Sequence, residues 1–142
     1  MPMYDVAAAL ANIDQHTMPI MACLAVVVFF AFFYFAIAMR MAIRQKVYVV
    51  PFIGAALFFW HDLTFVLNYD KWFHLYNHWW LKMWWFALVG TVAFELLMIW
   101  QVYRYGHKEL MPMLSKPLFG AAIVLGTLGV GAFWALIKYS MG

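Results

Sequence analysis

Apolar residues run almost without interruption through four stretches of this chain, Met18–Met39, Val47–Asn68, Met83–Tyr103 and Leu118–Lys138. Polar residues gather in the short links between them. At about 1.5 Å of rise per residue, each stretch is long enough to cross a hydrocarbon core of about 30 Å. The pattern therefore predicts an all-α fold, a four-transmembrane-helix bundle forming one domain over residues 1–142. Ahead of the first stretch, Val6, Leu10 and Ile13 share one face of a short amphipathic segment, Tyr4–Ile13, expected to lie on the membrane surface. Pro19, Pro51 and Pro117 fall in the opening turns of the first, second and fourth helices, where a missing N–H costs least. Gly106 and Pro112 end the third.

Composition supports the membrane reading. With 68% hydrophobic, 21% aromatic and only 11% charged residues, the chain is far below the charged share of about 25% found in soluble domains. Residues 1–17 hold Asp5 and Asp14 and no Lys or Arg, unlike the basic start of a signal peptide, so the first apolar stretch is expected to stay as a helix. Charge sets the expected orientation. Arg40, Arg44, Lys46, Arg104, Lys108 and Lys116 lie in the first and third links, against Lys71, Lys82 and Lys138 on the opposite side. Basic residues near the membrane are retained in the cytoplasm, which predicts both termini on the non-cytoplasmic side. The net charge of +3 is split between two short links rather than drawn into a stripe, so no nucleic acid partner is expected. Lone Cys23 has no partner for an internal disulfide.

Three ionisable residues interrupt the apolar stretches: Glu95, His61 and Asp62. A carboxylate near the bilayer centre costs about 2.5 kcal/mol or more, so such groups face a protein interior or a cavity. Burial among apolar side chains disfavours the charged form, and a carboxyl placed there is expected to keep its proton at neutral pH. Thr91 and Glu95 are four apart and share a helix face with Leu88 and Met98. Counted along straight helices, Glu95 lies about 18 Å deep, level with Phe30, Ala56 and Gly126. Asp62 lies about 10 Å deep, level with Gly90, Thr91 and Gly131. The two carboxyls are thus expected to stand about 9 Å apart along the membrane normal, as an acid and a remote base. Neighbours on a helix leave it about 100° apart, so His61 and Asp62 are not expected to face one small spot.

The fourth helix carries Gly120, Gly126, Gly129 and Gly131, a surface with little bulk. Small residues allow close helix packing, and their absence of bulk opposite Glu95 would also leave room for a ligand. Trp60, Phe58, Thr91, Met98 and Gly126 are the candidate substrate-binding residues. Aromatic walls could stabilise a cation through their ring quadrupoles. Trp72, Trp79, Trp80, Trp84 and Trp85 are expected to form an outer aromatic belt. A separate pattern in the outer link, Asp70, His74 and His78, has the four-residue spacing of helical metal ligands, an alternative centre for zinc, copper or iron. Met is ordinary filling in apolar helices and adds little to that reading. Paired haem ligation would need two deep histidines and His61 is one alone, so no cofactor is expected.

The run Glu95-Leu-Leu-Met-Ile-Trp-Gln-Val-Tyr-Arg104-Tyr105-Gly106, with Glu109 and Pro112 beyond it, resembles the third-helix signature of integral-membrane terpene cyclases of the meroterpenoid type. Upstream, Arg44-Gln-Lys-Val-Tyr48-Val-Val-Pro51 followed by Trp60-His61-Asp62 is similar to that family's basic link, proline and Trp-Glu pattern, with the carboxyl one position late. The four-helix module of sterol isomerases and sigma-2 receptors is similar in size and in having acidic residues on its second and third helices. These resemblances imply a multi-helix membrane fold, no metal, and proton transfer to an alkene or epoxide, with the second-helix acid falling on His61 or Asp62. The leading expectation is a membrane-embedded acid/base enzyme, a cyclase or isomerase, or a binder, acting on an isoprenoid or sterol-like lipid. Its catalytic residues would be Glu95, Asp62 and His61. Membrane lipids and an apolar substrate are the expected partners, with a homo-oligomer or a larger membrane complex as further partners. The alternatives are a non-catalytic subunit of a membrane oxidoreductase and a metal-binding protein using Asp70, His74 and His78. Transport is a weaker reading, since no inverted repeat is visible.

Overall fold

The computed structural model describes residues 5–141, and Tyr4 of the expected surface helix lies outside them. The chain is all-α, and three of its helices are long and apolar enough to cross a membrane: Thr17–Gln45, Trp79–Tyr105 and Lys116–Ser140. It divides into two compact units, Met1–Arg40 and Met41–Gly142.

In the first unit, α1 covers Val6–Gln15, two residues later than expected, because Asp5 caps it by accepting from the Ala8 N–H at 3.1 Å. His16 closes α1 by donating from Nδ1 to the Asn12 carbonyl at 3.1 Å. Helix α2, Thr17–Gln45, follows at once and its 29 residues outrun the expected Met18–Met39. Arg40 and Arg44 are therefore helical rather than in a link. The helix ends beyond the boundary with the second unit, where Lys46 takes a φ of 55° and the Val47 N–H reaches back to the Ala42 carbonyl at 3.3 Å. That is the left-handed ending usually built on glycine, here carried by lysine.

The second unit holds α3 (Phe52–Val66), α4 (Trp79–Tyr105), the short α5 (His107–Leu110) and α6 (Lys116–Met141). Helix α3 is shorter than the expected 47–68. Pro51 is its N-cap, with ψ at 139°, and proline holds the preceding residue extended, so Tyr48–Val50 stay outside the helix. Fifteen residues reach about 22 Å, short of the roughly 30 Å of a hydrocarbon core. At the far end, Trp85 of α4 donates its indole N–H to the Val66 carbonyl at 2.9 Å, and Asn68 donates to the Thr64 carbonyl at 2.8 Å. These bonds satisfy acceptors that the helix end would otherwise leave open. Trp85 is thus turned inward, while Trp79 and Trp84 keep substantial exposure.

Helix α3 packs chiefly against α4 and next against α6. Its approach is close because Ala55 and Ala56 are fully covered. Against α6 the fit is ring into glycine. The Trp60 indole fills the space where a Cβ on Gly131 would lie, and the Phe52 ring does the same 2.9 Å from a Cβ on Gly126. Trp60 Nε1 donates to the Thr127 carbonyl at 2.6 Å, and Trp134 Nε1 donates to Thr64 Oγ1 at 3.1 Å. At the basic end, Val102, Phe119 and Ile123 form a small core with Tyr48, Phe52, Ile99, Tyr103 and Leu114 packed around it. Lys116 reaches back to the carbonyls of Tyr103 and Arg104, which end α4, a favourable place for a cation.

Replacing Gly131 by Leu should drive Trp60 out of its seat and destabilise the second unit by about 1–3 kcal/mol, seen as a lower thermal midpoint in detergent. Gly129→Leu is the control, because a Cβ there meets nothing within 4 Å. On the basic side, Tyr48 donates its hydroxyl to Glu109 at 3.0 Å, and that bond holds the phenol above its ordinary value of 10. The contribution is fully present below the unfolded tyrosine value and is lost as pH rises through the higher folded one. Ultraviolet titration should show one late-ionising tyrosine in the native protein that Tyr48→Phe removes.

Candidate functional site

The deep polar residues meet where α3 and α4 run antiparallel. Thr91 of α4 sits across from Asp62 of α3, with Oγ1 and Oδ2 2.5 Å apart, the level at which the sequence places them. Asp62 Oδ1 faces His61 Nδ1 at 2.7 Å. This corrects the expectation that two consecutive residues could not converge. Their Cβ atoms diverge, yet the imidazole folds back along the helix and donates to its neighbour.

Glu95 is also nearer than the helix count allows. Asp62 and Glu95 lie within side-chain hydrogen-bonding reach of each other, not about 9 Å apart. The reason is directional. Every Cα–Cβ bond in a helix leans toward the N-terminus. In antiparallel helices Asp62 leans down α3 while Glu95 leans up α4, so the two carboxyls close a gap that their Cα positions would leave open. Both residues are buried, as are Leu88 and Met98 on the same face of α4.

Counting hydrogens shows what the cluster requires. Glu95 Oε2 is buried and has no donor, and between two carboxyls a bond exists only when one of them carries a proton. The Thr91 hydroxyl owns a single hydrogen but has two acceptors in range, Asp62 Oδ2 and the Leu88 carbonyl at 2.9 Å. Given to Leu88, that hydrogen leaves Asp62 to supply the one between them, as a neutral acid. Given to Asp62, it satisfies an ionised carboxylate. Rotation of one hydroxyl thus decides whether its hydrogen serves Asp62 Oδ2 or the Leu88 carbonyl. His61, whose side chain is 42% exposed, links this pair to its surroundings. Its ring rests 5.0 Å from Phe65 and 5.1 Å from Trp134.

Of the candidate substrate-binding residues, Thr91 and Met98 are at the cluster. Trp60 and Gly126 belong to the α3–α6 packing just described, and Phe58 is 60% exposed. The bulk missing at Gly126 is filled by Phe52 rather than left open. The alternative metal centre does not assemble. Lys71–Leu75 is a π-helical turn, Asp70 and His74 are 3.9 Å apart, and His78 turns Nδ1 to the Trp80 N–H at 3.2 Å to cap α4. Among the described residues, no group of three His, Cys, Asp or Glu side chains is placed to hold an ion. Trp134 and Thr64, absent from the sequence-based site, flank it; a Thr one turn above Trp60 and a Trp among glycines were the available signals.

Thr91→Val keeps the shape and removes the hydroxyl, leaving buried Asp62 Oδ2 without its donor. Unfolding should show a loss of about 1–3 kcal/mol, which Thr91→Ser should largely restore. No protein-family model, curated protein or solved structure matches the chain.

Proposed function

We propose that this protein is a membrane-embedded acid/base catalyst that moves a proton on an isoprenoid or sterol-like lipid. Its four helices α2, α3, α4 and α6 would all cross the bilayer, with both termini on the non-cytoplasmic side. The observation that carries the reading is the buried Asp62–Glu95 pair with His61 and Thr91 bonded to Asp62. Isolated carboxyls at such depth are expensive, and two of them placed together on facing helices must share a proton. The distribution of Arg44, Lys46, Arg104, Lys108 and Lys116 supports the orientation, and the similarity of the Glu95–Gly106 run to membrane terpene cyclases supports the substrate class.

In this mechanism the acid form of Glu95 gives its proton to one carbon of an alkene, whose π electrons form the new C–H bond and leave a carbocation on the other carbon. An epoxide reacts by protonation of oxygen and opening of the C–O bond. A π bond within the same molecule can attack the cation to close a ring. Loss of a proton from the adjacent carbon to ionised Asp62 then restores a double bond, and the pair again holds one proton between its two carboxyls. His61 steadies the carboxylate through its Nδ1–H. Proton transfer by placed carboxyls contributes about 10²–10⁴-fold to rate.

Purified protein incubated in D₂O with prenylated or sterol alkenes and epoxides should give a rearranged product carrying deuterium, detected by mass spectrometry. Glu95→Gln and Asp62→Asn should each lower turnover at least about 100-fold. Turnover that survives Glu95→Gln would reject the assigned acid.

A further inference from the structure

At the basic end of the second unit lies a second site, unrelated to the carboxyl pair. An apolar groove of about 340 Å³ is lined by Phe52, Ile53, Leu110, Met111, Phe119 and Ala122, among others. Its floor is solid, since Phe119 and Ile123 are buried, while Ile53, Leu110 and Met111 leave much of their surface exposed along it. The groove lies where α3 and α6 begin and just beyond the end of α4. In a bilayer crossed by α4 and α6, that is the boundary between acyl chains and headgroups.

A fixed cation stands beside it. The Lys116 ammonium is 5.5 Å from the Phe119 ring centroid and 4.4 Å from that of Tyr103. Its bonds to the Tyr103 and Arg104 carbonyls hold it in place. An ammonium has three donors, so one remains for an incoming anion. Lys46, just after α2, and Lys108, in α5, are both exposed. The nearby carboxylate, Glu109, is engaged by the Tyr48 hydroxyl. His107 donates Nε2–H to the Leu114 carbonyl at 2.6 Å and its ring lies tilted 5.1 Å from Phe119, which adds a polar wall without negative charge.

We propose that this groove is a binding site for one anionic phospholipid, with an acyl chain laid along Phe52, Met111 and Ala122 and the phosphate against Lys116. The apolar length selects a lipid tail, and the positioned ammonium with its neighbouring lysines selects negative charge over a neutral headgroup. The inference rests on the helices spanning a bilayer and is independent of the chemistry assigned to Asp62 and Glu95.

The test uses the full chain in detergent, titrated with phosphatidylglycerol or phosphatidylcholine carrying a photoreactive acyl chain, with labelled peptides read by mass spectrometry. Phosphatidylglycerol should be retained about fivefold better, the factor that corresponds to roughly 1 kcal/mol per interfacial lysine, and should label residues 51–53, 110–111 or 119–123. Lys116→Gln should bring the two lipids to parity, and Lys116→Arg should keep the preference. Ala122→Trp, which fills the groove and leaves the α4 cap intact, should abolish labelling by both and decides the matter if Lys116→Gln does not fold. Equal retention by the unmodified chain, labelling confined to other segments, or groove residues shielded by a second copy of the chain would each overturn the proposal.

Discussion

Desolvation of two carboxyls is the constraint around which α3 and α4 are arranged. Asp62 and Glu95 are removed from water, and each polar atom left unpaired in such a place is costly. The solution centres on Asp62, which takes Thr91 on one oxygen and His61 on the other, with Glu95 beside it. Such a network is sensitive to geometry, because each bond sets the direction of the next. It therefore fixes the register of the two helices more tightly than apolar contact could, since Leu and Met surfaces slide at small cost and a 2.5 Å hydroxyl–carboxyl contact does not.

The α3–α6 contact is built on a different principle. Here rings from α3 occupy absent side chains on α6, and the indole N–H groups of Trp60 and Trp134 end on oxygens of the partner helix. Without a hydrophobic driving force in lipid, close packing and cross-helix hydrogen bonds are what hold helices together. The large aromatic share of the composition is spent in part on this joint.

Much of the fold is legible in the pattern of apolar runs. The helices α2, α4 and α6 follow from length and hydropathy, and Gly106 marks a real boundary, whereas the cap at Asp5 starts α1 later than its apolar face suggests. The error at α3 has one cause: Pro51 reads as an early helical residue when it is the cap, and hydropathy alone cannot separate extended Tyr48–Val50 from the helix they precede. At the site, the Thr91–Asp62 level is recoverable by counting residues along α3 and α4. The distance from Asp62 to Glu95 is not, because counting follows Cα atoms and chemistry follows side-chain tips. The glycines of α6 read as space, and only the positions of Phe52 and Trp60 show that the space at Gly126 and Gly131 is occupied. The Asp70, His74 and His78 spacing fails for a similar reason: Asp70 and His74 stay side by side, but His78 lies beyond the π-helical turn and caps α4 instead.

The brevity of α3 has a consequence for the surrounding membrane. At about 22 Å, α3 is shorter than acyl chains that stand roughly 30 Å tall. If α3 crosses as proposed, lipids beside it would compress or the helix ends would draw polar groups inward, and either response costs fractions of a kcal/mol per ångström. Were α3 to cross a bilayer as proposed, the chain would sit in a dimple of its own making and would partition toward thinner membranes over thicker ones.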